Sequence, residues 1–245
     1  MLEETVAPNL APLTYATYES HVKNYIEPGI GSLRLDRLRV SDVQAWLNHL
    51  AAQCQCCAQE KDLRRALRGT ARCCALGKCC HQVASPRTIK DVRAVLRSAL
   101  SSAVREELLD RNVAQLVQIP KQRKRKLVPW TSEEARRFLE SARSDSDPLY
   151  AAYVLVLVLG LRKGEVLGLS WEAVNFEQST LVPDHQLQRV RRSLLYRDTK
   201  TEASDAWLPV PDIVTAALTI RCTQQDRERE AAGEIWQQTK DMPSL

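Results

Sequence analysis

Apolar positions recur at helical spacing over most of the chain. In the stretch 13–26 they fall at Tyr15, Tyr18, Val22, Tyr25 and Ile26, one face of a helix, and Pro28, Gly29 and Gly31 are expected to break it. A second helix is predicted to start near Ser41-Asp42, with Val43, Trp46, Leu47 and Leu50 on one face. A long helix opens at Ser85-Pro86, where Ile89, Val92, Leu96, Leu100 and Ala103 form the core stripe. Thr131 and Glu134 read as a capping box that starts a new helical domain, with Ala135, Phe138 and Leu139 facing inward. The run from Leu149 to Leu161 is too continuously apolar for a surface helix, so a buried one is expected. Beyond Trp171 the period shortens. Val174–Pro183, Gln186–Tyr196 and Ala206–Val210 read as short strands, with a polar turn at Asp198–Ser204, and Ile213–Glu230 as a polar helix. The fold class is mainly α with a small β-hairpin or sheet, an α+β arrangement.

The chain has 245 residues, enough for one large domain or two small ones. Its longest apolar run is 13 residues, short of the roughly 18 that a membrane helix needs. The first residues, MLEETVAPNLAPLTY, lack the basic start, apolar stretch and cleavage site of a signal peptide. Membrane and secreted classes are therefore set aside, and a reducing compartment is expected.

Charge is unevenly placed. Residues 1–119 carry 16 basic side chains against 12 acidic ones, and residues 131–245 carry 14 against 18. Between them, residues 120–130 (PKQRKRKLVPW) hold Lys121, Arg123, Lys124, Arg125 and Lys126 and no acid. Pro120 and Pro129 flank this segment, so an extended basic linker is expected. On the long helix, Lys90, Arg93 and Arg97 line up as a second stripe beside the core stripe. Both features suit phosphate binding through counterion displacement; a solvated linker and a solvated helix face are the plain alternatives.

Seven of the eight cysteines lie between positions 54 and 80. Cys54, Cys56 and Cys57 come first, Cys73 and Cys74 follow, and Cys79 and Cys80 precede His81. A reducing compartment disfavours disulfides, whereas two thiolate clusters bracketing a polar, basic loop suit a structural zinc site. Cys-Cys doublets stand where Cys-x-x-Cys knuckles are usual. Seven thiols and an imidazole fill one site with spares or two sites; a metal-free insertion is the alternative.

Chemistry gathers at Arg162. A cation at the edge of an apolar helix can serve as a rigid anion clamp, its planar fork suited to the oxygens of a phosphate. Glu165, three residues on, is placed to hold the helix turn or the arginine by hydrogen bonding. Lys200 is expected at the tip of a hairpin (RDTKTEASD), where a lysine can give a proton to a leaving oxygen.

These blocks resemble the tyrosine recombinase, or phage-type integrase, family over nearly the whole chain. TYATYESHVKNYI, SPRTIKDVRAVLRSALSSAV and NVAQLV resemble its helical core-binding domain, which would span residues 1–119 with the cysteine insertion at 54–81. PKQRKRKLVPWTSEEARRFLESA resembles its linker, residues 120–130, and the opening helix of its catalytic domain, residues 131–245. GLRKGEVLGLSWEAVNF is similar to the block with the first catalytic arginine, here Arg162, and TKTEASDAWLPVP to the hairpin with the family's lysine, here Lys200. CQCCAQ and RCCALGKCC are similar to segments in integrases of actinobacterial integrative elements.

The resemblance implies a DNA strand-transfer enzyme of a mobile element, in a cytoplasmic, nucleoid-associated bacterial location. Its partners would be double-stranded attachment or core sites and other integrase protomers, with no cofactor for catalysis. Arg162 would stabilise the phosphorane, Lys200 would protonate the departing 5′-oxygen, and Glu165 would support the arginine. A His-x-x-Arg block is not found beyond the hairpin, and the tyrosines at 15, 18, 25, 150, 153 and 196 all precede Lys200. The resemblance therefore implies an incomplete catalytic domain in a chain cut short at both ends. A DNA-binding protein that occupies core sites without cleaving them is the alternative.

Overall fold

The computed structural model describes residues 10–119, 126–199 and 207–236. The chain forms two compact units, Met1–Arg125 and Lys126–Leu245.

The first unit is helical. Helix α1 (Pro12–His21) runs through a π-helical turn (Val22–Ile26) into α2 (Glu27–Ile30). The expected break at Pro28 and Gly29 is thus displaced to Gly31. Pro28 has no N–H, so the carbonyl of Asn24, four residues earlier, loses its helical donor. The side-chain amide of Gln59 donates to that carbonyl at 3.4 Å and takes the missing place. Gly29 is required by packing, since a Cβ there would fall against the indole of Trp46.

Helices α3 (Val40–Ala52) and α6 (Pro86–Arg105) form the core of this unit. Val43, Trp46, Leu47 and Leu50 of α3 pack with Ile89, Val92, Leu96 and Leu100 of α6, and Val113, Ala114 and Val117 close the cluster. Ser85 caps α6 by accepting the N–H of Thr88 at 3.1 Å, with Pro86 in the first turn where its missing donor is harmless. Buried Asn112 ties α6 to the next segment. Its amide donates to the Arg97 carbonyl (2.7 Å) and the Ser101 hydroxyl (2.8 Å), and its Oδ1 accepts from Ala114 N–H (3.0 Å).

Between α3 and α6 lies a small lobe with α4 (Gln55–Ala58), α5 (Lys61–Ala66) and a 3-10 turn (Cys74–Leu76). Its neck is closed by the backbone N–H of Gln55 donating to the carbonyl of Gln82 at 2.7 Å.

The second unit opens with α7 (Ser132–Ser144), whose capping box forms as the sequence predicts. Thr131 Oγ1 accepts from Glu134 N–H at 3.2 Å, and Glu134 accepts from Thr131 N–H at 2.7 Å. Helix α8 (Tyr150–Leu159) buries Val154 and Leu155 completely, but Val156, Leu157 and Val158 are exposed. The expectation of an all-round buried helix is corrected: α8 packs on α7 and on α10 (Asp212–Ala232) by one side, and its other side is open among the described residues.

Val174–Pro183 is two strands and not one. Strands β1 (Val174–Asn175) and β2 (Thr180–Leu181) pair antiparallel, and β2 also pairs with β5 (Leu208–Pro209). Asn175 Oδ1 accepts the N–H of Gln178 at 2.8 Å and reverses the chain. The predicted strand 186–196 is likewise a hairpin, β3 (His185–Val190) and β4 (Ser193–Asp198), in register from His185↔Asp198 to Val190↔Ser193. Arg191 makes that turn in the left-handed region (φ 57°) without any glycine to announce it.

Candidate functional site

The backbone at Arg162 is fixed from its apolar neighbours. Gly160 ends α8 in the left-handed conformation (φ 69°), and Leu161 is buried in the core. Arg162 follows in extended conformation and caps α9 (Lys163–Gly168). It therefore starts a short helix and does not end the apolar one, as the sequence had led us to expect. A cation at a helix start opposes the helix dipole, and a carboxylate in the first turn offsets it. Glu165 supplies that carboxylate. Its Oε2 accepts the backbone N–H of Arg162 at 2.8 Å, and its Oε1 accepts from Nη1 of the guanidinium at 2.6 Å. The arginine side chain is 79% exposed and that of Glu165 only 10%. A buried carboxylate thus anchors an exposed guanidinium on a backbone set by the core.

Gly168 at the end of α9 lies directly against β3. A Cβ there would meet the backbone of Gln186 at 2.6 Å and the carbonyl of His185 at 2.8 Å. This close approach seats the β3–β4 hairpin on the helix that carries Arg162. His185 stacks on Tyr196 with ring centroids 4.6 Å apart, and its Nδ1 lies 2.8 Å from the carboxylate of Asp184. Lys200 lies outside the described residues, as do Lys121, Arg123, Lys124 and Arg125. Lys126 is exposed.

On α6, Lys90 and Arg97 are exposed and Arg93 is half-buried. Arg93 donates to the carbonyls of Ala114 and Gln115, both at 3.0 Å, and so braces the segment after the helix. The three cations of the stripe are therefore not equivalent.

In the lobe, the sulfurs of Cys54, Cys57, Cys74 and Cys79 all lie within 4.8 Å of one another, and so do those of Cys56, Cys73, Cys74 and Cys80. All seven expected cysteines come together, while His81 belongs to neither group. Cys54-x-x-Cys57 is an ordinary knuckle spacing that the doublets hid in the sequence. The backbone N–H groups of Cys57 and Cys56 point at the Cys54 sulfur and bring its thiol down to about 6. The residue that sequence reasoning missed is Asp62. Its buried carboxylate accepts the backbone N–H groups of Cys73 (2.8 Å), Arg72 (3.1 Å) and Ala75 (3.1 Å) and is joined by Arg65 at 3.5 Å. These donors, that of Cys73 foremost, hold the carboxyl down at about 2. An acidic residue inside a basic loop was the available signal.

Comparison with known proteins finds relatives along most of the chain. The profile described as "Phage integrase, N-terminal SAM-like domain" matches residues 2–51, ending just before the cysteines. A "Tyrosine recombinase XerC-like" from Caldanaerobacter subterraneus subsp. tengcongensis is 24% identical over 251 residues, covering 96% of this chain and 56% of that relative. The chain is similar to tyrosine recombinases over nearly its whole length. An integrase of Streptomyces ambofaciens is 26% identical to this chain over 223 residues, covering 88% of it and 48% of the relative. The chain spans about half the length of the curated relatives it matches. Its fold matches that of the Tn1549 transposon integrase in complex with a circular intermediate DNA, with a TM-score of 0.68 at 20% identity over 98% of this chain and 66% of the other. It also matches a lambda integrase dimer bound to a core site, with a TM-score of 0.52 at 17% identity over 99% of this chain and 56% of the other. Among the described residues no helix is long and apolar enough to cross a membrane.

Proposed function

We propose that this chain is a DNA-binding part of a mobile-element integrase, carrying the first arginine of a strand-transfer site. Residues 1–119 serve as the core-binding domain, 120–130 as a basic linker and 131–245 as part of the catalytic domain. Bacterial duplex DNA is the substrate, bound together with other integrase protomers in the cytoplasm.

The observation that carries this reading is Arg162: an exposed guanidinium on a backbone set by buried Leu161 and anchored by buried Glu165. That arrangement suits the non-bridging oxygens of a phosphodiester, because the fork is oriented before the anion arrives. Lys200 would then give its proton to the departing 5′-oxygen. Lys90 and Arg97 on α6, with Lys121, Arg123, Lys124, Arg125 and Lys126 in the linker, would contact backbone phosphates. The cysteine lobe is a structural zinc site on the same unit.

The test is equilibrium binding of the 245-residue chain to duplex DNA over a range of salt. Affinity should fall steeply as salt rises, and neutral replacement of the five linker cations should weaken it and flatten the slope. Affinity indifferent to salt and to those replacements would overturn the reading.

A second reading of these 245 residues is occupancy of core sites without cleavage, resting on the same cations of α6 and the linker. A nicked suicide duplex should then give no covalent adduct with this chain; a phosphotyrosyl adduct would rule the second reading out.

A further inference from the structure

The two cysteine groups share one member, Cys74. Four ligands around each of two ions would require eight thiolates, and seven suffice when one sulfur bridges. Cys54, Cys57 and Cys79 complete one tetrad, Cys56, Cys73 and Cys80 the other, and no cysteine of the lobe is left over. Building on the structural-zinc reading above, we propose that the lobe holds two zinc ions as one thiolate cluster, with the Cys74 sulfur bridging them.

Distances fit that geometry. Cys57 and Cys79 sulfurs are 3.8 Å apart in the first tetrad; in the second, Cys56 and Cys73 are 3.8 Å apart and Cys74 and Cys80 3.7 Å. A tetrahedron with zinc–sulfur bonds of about 2.3 Å has edges of about 3.8 Å. A disulfide would need about 2.05 Å. Cys54 and Cys80, one from each tetrad, are also 3.8 Å apart, so the two tetrahedra lie against each other as a shared vertex requires.

The cluster explains the doublets. Cys57 goes to the first ion and its neighbour Cys56 to the second; Cys79 goes to the first and Cys80 to the second. In the remaining doublet Cys73 goes to the second ion and Cys74 to both. Adjacent side chains on a tight turn diverge, which suits them to two ions better than to one. A single-ion site gives no role to three of the seven thiols.

Charge also suits the cluster. Two divalent ions and seven thiolates leave about three negative charges on it. The sequence of the lobe carries the cations Lys61, Arg64, Arg65, Arg68, Arg72 and Lys78 against the acids Glu60 and Asp62, and its backbone donors include the N–H of His81, 3.5 Å from the Cys79 sulfur. Asp62 fixes the backbone of the loop that presents the bridging residue.

The test is metal content of the full chain purified under reducing conditions. Two zinc ions per folded chain are expected, and still two in Cys222→Ser, whose cysteine lies outside the lobe. One ion per chain would overturn the bridged pair and leave the single-zinc reading standing; a folded, metal-free chain would overturn both. Cobalt(II) substitution reads the bridge itself. A shared thiolate couples two cobalt spins antiferromagnetically, so the paramagnetic signal that grows with the first equivalent should fall with the second. A signal that doubles would show two independent sites and overturn the bridge. Under chelator challenge Cys79→Ser should lose one ion and Cys74→Ser both; equal losses count against Cys74 as the shared ligand.

Discussion

Glu165 binds Arg162 at both ends of the residue, its Oε2 on the backbone N–H and its Oε1 on the guanidinium. The backbone contact caps α9, and the side-chain contact orients the exposed fork. Glu165→Ala removes both and should lower unfolding stability by about 1–2 kcal/mol in urea titration. Glu165→Gln keeps a neutral acceptor and should lose less. Arg162→Ala should leave stability nearly unchanged, because the side chain is largely in solvent.

Asp62 should matter to the lobe more than any exposed charge there. Asp62→Ala leaves the N–H groups of Arg72, Cys73 and Ala75 without their acceptor, at a cost of roughly 2–3 kcal/mol. Hydrogen exchange should show those amides opening faster, while the amides of α3 and α6 keep their protection. Unchanged exchange at Cys73 would mean another group holds the loop.

Two glycines of α9 should respond differently to the same substitution. Gly168→Ala drives a methyl into the backbone of β3 and should cost about 1–3 kcal/mol by thermal unfolding. Gly164→Ala meets Gln186 at an ordinary 3.5 Å and should be tolerated. Equal effects would show that β3 does not sit where α9 needs a glycine.

The cations of α6 should separate stability from affinity. Arg93→Ala frees the carbonyls of Ala114 and Gln115 and should lower the melting temperature. Lys90→Ala and Arg97→Ala should leave melting unchanged and weaken duplex DNA binding, each reducing the salt slope by about one. A melting loss at Lys90 equal to that at Arg93 would contradict this division.

His21 gives the first unit a pH dependence of known sign. Burial pushes its pKa below the usual 6.5, Asp91 on α6 partly opposes the shift, and Nδ1 has no hydrogen-bond partner among the described residues. The fold therefore favours the neutral ring. Its contribution is fully present above pH 6.5 and is lost as pH falls through the lowered value. Melting temperature should drop between pH 7.5 and about 5.5, and His21→Gln should flatten that part of the profile.

Local signals were legible in the sequence where the partners are local. Ser85 with Thr88, and Thr131 with Glu134, cap their helices within three residues, and the stripe from Ile89 to Leu100 follows from helical period alone. What could not be read depends on distant partners. Pro28 reads as a helix breaker until Gln59, in another element, satisfies Asn24. Arg93 and Arg97 look alike in a stripe, and only the fold brings Ala114 and Gln115 to one of them. The hairpin at Arg191 lacks a turn residue because its arginine adopts the positive φ itself. Arg162 and Glu165 were visible as a spacing, but their unequal burial belongs to the packed core.

The closed neck of the cysteine lobe has a consequence of its own. Chain entry and exit meet where Gln55 bonds Gln82, so the 26 residues between them form an appendage whose further tie to the unit is Gln59 on the carbonyl of Asn24. Excising it and rejoining α3 to α6 through a short turn should preserve the core between those two helices and leave the Asn24 carbonyl to solvent. The same neck makes the lobe portable: grafted between two neighbouring helices of another scaffold, it would carry its own fastening along.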